Sequence, residues 1–207
     1  MQFLAKPKRA SSLWSFGLTK SFHNADGTDS DVDMMYQNIE EATYGETDDY
    51  QLIYLPYRNN GYNMVLVLPK EGVAIESIMG RTDWLCQDTD ICEVDLYMPR
   101  FSFDNTLSYK EILTDLGLGD MFDKEDSFPN ITDEPAHISQ IKQQCVINVE
   151  EEGTEAAALT LAECEVGCPP PDESPEPVTM RLDRLFGFAI KGEYDQLLFM
   201  GILKQMQ

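Results

Sequence analysis

Basic residues are scarce in this chain. Fifteen Lys and Arg stand against 37 Asp and Glu, a formal net charge of −22. Without a basic stripe, binding to nucleic acid is not expected, nor is attachment to an anionic membrane surface. Histidine is scarcer still, with only His23 and His137. A nucleophilic Ser or Cys needs a base converging on it from elsewhere. His137 and Cys145 read as parts of one element, so no enzyme is expected. The five cysteines, 86, 92, 145, 164 and 168, are odd in number and form no C-x-x-C pair. A zinc site is therefore not expected. Cys86 and Cys92 are close enough in sequence to pair in an oxidising compartment, and Cys145 reads as a buried thiol in a strand. No apolar run approaches membrane-spanning length. The opening MQFLAKPKRASS has no apolar stretch of signal-peptide length, so no export signal is expected there. Asp123, Glu125, Ser127 and Glu134 fall at calcium-loop spacings, but Phe128 stands where Gly must turn and Pro129 follows it. Gly117 and Gly119 read as a helix end, not a phosphate loop. Neither a metal nor a cofactor is expected.

What is present is ordinary for a folded domain. The 207 residues are 43% hydrophobic, enough for one good-sized core. Acidic clusters at 46–49, 120–126, 150–155 and 172–176 read as solvated faces and loops. Strand patterns cover 13–22 and 31–44. Two further β segments, Tyr50 to Tyr57 and Tyr62 to Leu68, flank Arg58-Asn59-Asn60-Gly61, whose Asn-Gly predicts a hairpin. Short helices are expected over 73–85, anchored by Ile75, Ile78, Met79 and Trp84. Ile91 to Phe103 reads as one long strand with Val94, Leu96 and Met98 on one side. Residues 108–116 read as a helix opened by a Ser108-x-x-Glu111 capping box and closed by Gly117. Strands follow at 137–149, 178–183, 185–190 and 197–203. The fold class expected is α+β, with mixed and antiparallel β-sheets and few helices.

The most informative stretch is 145–166, CVINVEEEGTEAAALTLAECEV. It opens as an alternating strand, then passes through three glutamates and Gly153 into small residues. From Thr154 every second residue is small or apolar: Thr154, Ala156, Ala158, Thr160, Ala162, Cys164, Val166. A period of two signals a strand. Yet Ala, Glu and Gly are poor strand formers, and the alanine run by itself suits a helix with Thr154 as its N-cap. The segment is thus compatible with more than one conformation. Gly167-Cys168-Pro169-Pro170-Pro171 then stops any central strand.

The run Glu151-Glu152-Gly153-Thr154-Glu155-Ala156-Ala157-Ala158 resembles the hinge of the serpin reactive loop. Other segments resemble the same family: Val32-Asp33-Met34-Met35-Tyr36-Gln37, the hairpin YLPYRNNGYNMVLVLPKEG, Pro99-Arg100-Phe101, Leu118-Gly119-Asp120-Met121-Phe122, Arg184-x-Phe186-x-Phe188 and Leu198-Phe199-Met200-Gly201. The resemblance runs over 13–207 and covers only the C-terminal half of a serpin. It implies a single partial domain over 1–207. Residues 1–12 are an atypical leading segment, 150–177 the hinge and reactive loop, and 178–207 the C-terminal strands. It implies an extracellular or secreted inhibitor of an endopeptidase, serine or cysteine, acting as a suicide substrate. Cleavage of the loop would let it insert into a sheet as a new strand, which demands small inward side chains and a free pivot at Gly153. Counting from the hinge places the cleaved bond within Cys164, Glu165, Val166, Gly167 and Cys168. Counting back from Leu182 places it near Ser174, and the end of the alternation at Val166 favours the former. No Arg or Lys occurs from 145 to 180, which favours an elastase-like or papain-like target. The resemblance also implies an ion pair between Glu151 and Arg100, and a complementary N-terminal half as a partner. The family's lower His-Lys pair would fall near Gln143-Gln144, where this chain departs from the pattern. The alternative expectation is a non-inhibitory fragment that binds a partner as a β-rich module.

Overall fold

The computed structural model describes residues 15–57, 61–124, 128, 130–131, 134–149 and 176–206. The chain divides into two compact units. The first comprises residues 1–100 and 150–207, the second residues 101–149.

The first unit is built on an eight-stranded sheet of mixed pairing. Its strands are β1 (Ser15–His23), β2 (Asp29–Glu46), β3 (Tyr50–Pro56), β4 (Asn63–Pro69), β5 (Asp90–Pro99), β8 (Val178–Arg181), β9 (Phe186–Lys191) and β10 (Leu197–Leu203). The order is β10-β9-β4-β3-β2-β5-β8, with β1 paired to β2 beside this path. Apolar strands separated by a short connection make β3 and β4 an antiparallel hairpin. The pairing runs from Tyr50↔Pro69 to Pro56↔Asn63, and Gly61 takes the positive φ of +115° that the turn needs. The long β2 serves three neighbours in turn: β1 through its first half, β5 from Met34 to Tyr44, and β3 from Thr43 to Glu46.

The core lies against the middle of this sheet. Every residue of β9 is buried, and so is β4 from Met64 onward. Unbroken apolar runs of this kind belong to strands covered on both faces. Helix α1 (Ile75–Met79) and a 3-10 turn (Asp83–Cys86) bring Ile75, Ile78, Met79 and Trp84 onto Tyr50, Leu52, Val65, Val67 and Ala189. These are the four anchors that the apolar spacing over 73–85 predicts. The Trp84 indole N–H donates to the Arg81 carbonyl at 2.8 Å, which satisfies its one polar atom.

The second unit holds an antiparallel ribbon of β6 (Phe101–Ser108) and β7 (Lys142–Val149). Short helices α2 (Lys110–Leu113) and α3 (Asp120–Asp123) flank a π turn, Thr114–Leu118. Gly117 sits there at φ +86°, the left-handed stop expected of it.

Several expectations need correction. The long strand over 91–103 is two strands, β5 and β6, in different sheets. Pro99 has no N–H for a ladder, and the Arg100 N–H turns aside to the Asp33 carbonyl at 3.1 Å. The buried positions 94, 96 and 98 change parity to 101 across this break. The Ser108 capping box does not form. Ser108 ends β6, paired with Lys142, and Tyr109 occupies the N-cap with no side-chain cap. The strand expected from 137 begins only at Lys142, because the Ile138 N–H is spent on the Met121 carbonyl. Cys145 is half-buried, not buried.

Candidate functional site

The sequence places its functional signal between β7 and β8. The hinge, Glu151, Glu152, Gly153, Thr154, Glu155, Ala156, Ala157 and Ala158, lies outside the described residues. So does the cleavage region, Cys164, Glu165, Val166, Gly167 and Cys168. What the structure describes is the pair of strands that carry the two ends of this stretch.

The upstream carrier is β7. Its ladder with β6 runs in continuous register from Phe101↔Val149 to Ser108↔Lys142. No residue of β7 is buried. Cys145, Ile147 and Val149 are half-covered, while Val146 is 63% exposed. Gln143 accepts a hydrogen bond from the Tyr109 hydroxyl, and Gln144 donates to Asp104 at 3.2 Å. Among the described residues β7 pairs with β6 alone. One edge of its backbone is therefore the natural place for a further strand.

The downstream carrier is β8, and it is held far more firmly. It pairs in parallel with β5, Val94↔Val178 to Tyr97↔Arg181. On its inner face Met180, and Leu182 just after it, are fully buried. The Leu182 N–H extends the ladder to the Tyr97 carbonyl at 2.9 Å. On the outer face the Arg181 guanidinium lies 4.5 Å from the centre of the Tyr97 ring, which packs 4.8 Å from Tyr36. The Tyr36 hydroxyl donates to Asp95 at 2.8 Å. That bond, with burial and the Asp95 charge, pushes the phenol up to about 12. Asn38 ties the same patch together by donating to Glu93 and Asp95, both at 2.9 Å. Motif reading missed this stack, because Tyr36, Tyr97 and Arg181 meet only through the register of three strands distant in sequence.

Arg100, expected opposite Glu151, stands between β5 and β6. Its side chain is 43% exposed, with Nη1 3.9 Å from Asp33 Oδ2. Glu151 lies outside the described residues. Among the described residues no cluster of His, Cys, Asp and Glu could hold a metal ion. Among the described residues no helix is long and apolar enough to cross a membrane.

A family model described as Serpin (serine protease inhibitor) matches residues 17–205. An uncharacterized serpin-like protein of Methanosarcina acetivorans is 37% identical over 188 residues, covering 88% of this chain and 44% of that protein. Iripin-2 of Ixodes ricinus is 30% identical over 195 residues, covering 90% of this chain and 48% of its own. Among solved structures, Serpin48, described as a highly specific serpin of the insect Tenebrio molitor, superposes with a TM-score of 0.72 at 26% identity. That match covers 99% of this chain and 53% of Serpin48. The chain thus spans about half the length of the relatives it matches.

Proposed function

The chain belongs to the serpin family, and on that premise we propose that it presents residues 150–177 as bait to an endopeptidase. The observation that carries this reading is the unequal support at the two ends of the stretch. The downstream strand β8 is anchored by buried Met180, by Leu182 just after it and by the Arg181–Tyr97 stack, whereas no residue of the upstream strand β7 is buried. A bait of this kind needs one fixed arm and one that can join a sheet. After cleavage, the new end would fold back from Gly153 and add to the edge of β7 not taken by β6. Thr154, Ala156, Ala158 and Thr160 would turn their small side chains inward. The acyl-enzyme would be carried with the strand and distorted before water completes the reaction. The cleaved bond falls within 164–168, and the absence of Arg and Lys from 145 to 180 points to an elastase-like or papain-like target. Glu151 would pair with Arg100 as the hinge opens. No catalytic role is proposed for the chain.

A second reading has its own observation. The chain covers 44% and 48% of its relatives, and a two-stranded ribbon is marginal by itself. On this reading the chain is a non-inhibitory module that binds a partner through its β-rich surface, whereas the inhibitory reading needs a complementary N-terminal half to form the far wall of the slot.

One experiment separates the two. The chain is mixed with an elastase-like serine protease, alone and with the N-terminal half of a full-length serpin, and SDS-resistant complex is measured. Complex is expected only in the supplemented mixture. Thr154→Arg or Ala156→Pro should turn that activity into simple cleavage, by placing a charge in a packed sheet or removing a ladder donor. Unchanged inhibition by either variant would end the insertion mechanism. No complex in any mixture would favour the non-inhibitory module.

A further inference from the structure

The turn between β1 and β2 carries a buried polar side chain, Asn24, only 6% exposed. Its hydrogen-bonding capacity is directed across the fold. Its Nδ2 donates to Thr28 Oγ1 at 3.0 Å and to Ser30 Oγ at 2.9 Å. Its Oδ1 accepts the backbone N–H of Met206 at 2.9 Å, across 182 positions of sequence. Beside it, the Ala25 N–H donates to the Lys204 carbonyl at 2.8 Å, and Ser30 Oγ donates to the Met206 carbonyl at 3.3 Å. The turn holds its own shape without the segment it grips. The Thr28 N–H and hydroxyl both donate to Asp26 Oδ1, at 2.9 and 2.6 Å, and the Asn24 N–H donates to the Thr28 carbonyl.

All three contacts from the turn to 204–206 reach main-chain atoms. Residues 204–206 follow β10 directly, and among the described residues β10 is the last strand of its sheet, with β9 as its one neighbour in the strand order. It exposes Leu197, Leu198 and Met200. An outer strand of this kind is the first to open locally.

We infer that the Asn24 turn is a socket that reads the main chain of residues 204–206 and latches β10 onto the sheet. When the segment leaves, Asn24 Oδ1 gives up the Met206 N–H, so release of β10 costs this hydrogen bond. The Lys204–Glu76 pair, 2.6 Å long, is half-exposed at both ends and adds little to the grip. The latch recognises backbone geometry, and its occupant is this chain's own segment.

Hydrogen exchange of the 207-residue chain tests this, with β10 compared against β5. Asn24→Ala and deletion of residues 205–207 should each speed exchange in β10 by about tenfold, the loss of roughly one well-placed hydrogen bond, with β5 unchanged. Lys204→Ala should leave β10 protected. The deletion leaves the turn and its internal bonds in place, so it decides the matter even if Asn24→Ala does not fold. Full protection of β10 in the deletion variant would overturn the latch. Release of β10 by Lys204→Ala as large as that by the deletion would overturn main-chain reading.

Discussion

Strands β9 and β7 show two ways in which one chain builds a strand. Each residue of β9, Phe186–Lys191, is buried, while no residue of β7, Lys142–Val149, is. β9 lies between β10 and β4 in an eight-stranded sheet, and β7 has β6 alone among the described residues. Burial on both faces ties a strand to the global stability of its unit, whereas an open ribbon exchanges and moves at a local free energy nearer zero. The stretch proposed as bait begins directly after the open strand β7, and it ends at β8, where Met180 and the following Leu182 are buried.

The comparison breaks most visibly under core truncation. Trp84→Ala empties a fully buried indole site on the β9 side of the molecule and should cost about 3–5 kcal/mol in urea unfolding. Val146→Ala in β7 should stay within about 0.5 kcal/mol. Equal losses would show that β7 is as deeply embedded as β9.

A smaller effect is expected at Lys191, the one charge inside β9. Its side chain is 7% exposed, its Nζ donates to the Leu85 carbonyl at 2.9 Å, and Asp195 approaches to 3.0 Å. Lys191→Met keeps the apolar stem and loses the donor, for roughly 1–3 kcal/mol. Asp195 is exposed, so Asp195→Asn should cost far less. Equal costs for the two would mean that the ion pair, not the tie to Leu85, holds the 3-10 turn.

Smaller again is the stack on β8. Arg181→Ala removes the cation over Tyr97 and should cost about 0.5–1 kcal/mol. Its sharper readout is protease access to 150–177, which should rise as the fixed arm loosens. Unchanged cleavage rates would mean that the buried Met180 and Leu182 anchor β8 without it.

The smallest effect concerns pH. The Lys70 ammonium beside Glu46, helped by the Tyr44 hydroxyl, holds that carboxyl below its ordinary value of 4.5. The folded value lies below the unfolded one. The stabilisation is therefore complete above 4.5 and fades as pH falls through the folded value. Glu46 is 43% exposed, so solvent screens much of this. Glu46→Gln should flatten the acid limb of the stability curve slightly. A steeper limb in the variant would reverse the assignment.

Much of the eight-stranded sheet was legible before folding was considered. Asn60-Gly61 marks the β3–β4 hairpin because few residues accept positive φ, and Ile75, Ile78, Met79 and Trp84 announce their core by spacing. The misreadings share one cause. Ser108-x-x-Glu111 has the letters of a capping box, but the register of β6 on β7 claims Ser108 for the ladder. Ile91 to Phe103 alternates like one strand, but Pro99 and the Asp33 carbonyl redirect the chain at Arg100. Local pattern states a preference, and a tertiary partner competing for the same backbone groups overrides it.

The stretch proposed as bait is a feature of sequence. Its period of two, its small residues and the proline stop need no fold to be read, because each is a local matter of side-chain size or backbone chemistry. The family was legible for the same reason, in short runs whose chemistry is local. Tertiary structure alone decided which residues meet across long separations: Tyr36 with Tyr97 and Arg181, Lys191 with Leu85, and Asn24 with Met206. Each of these contacts depends on strand register, and register is set by the whole sheet finding one arrangement that buries its apolar faces together.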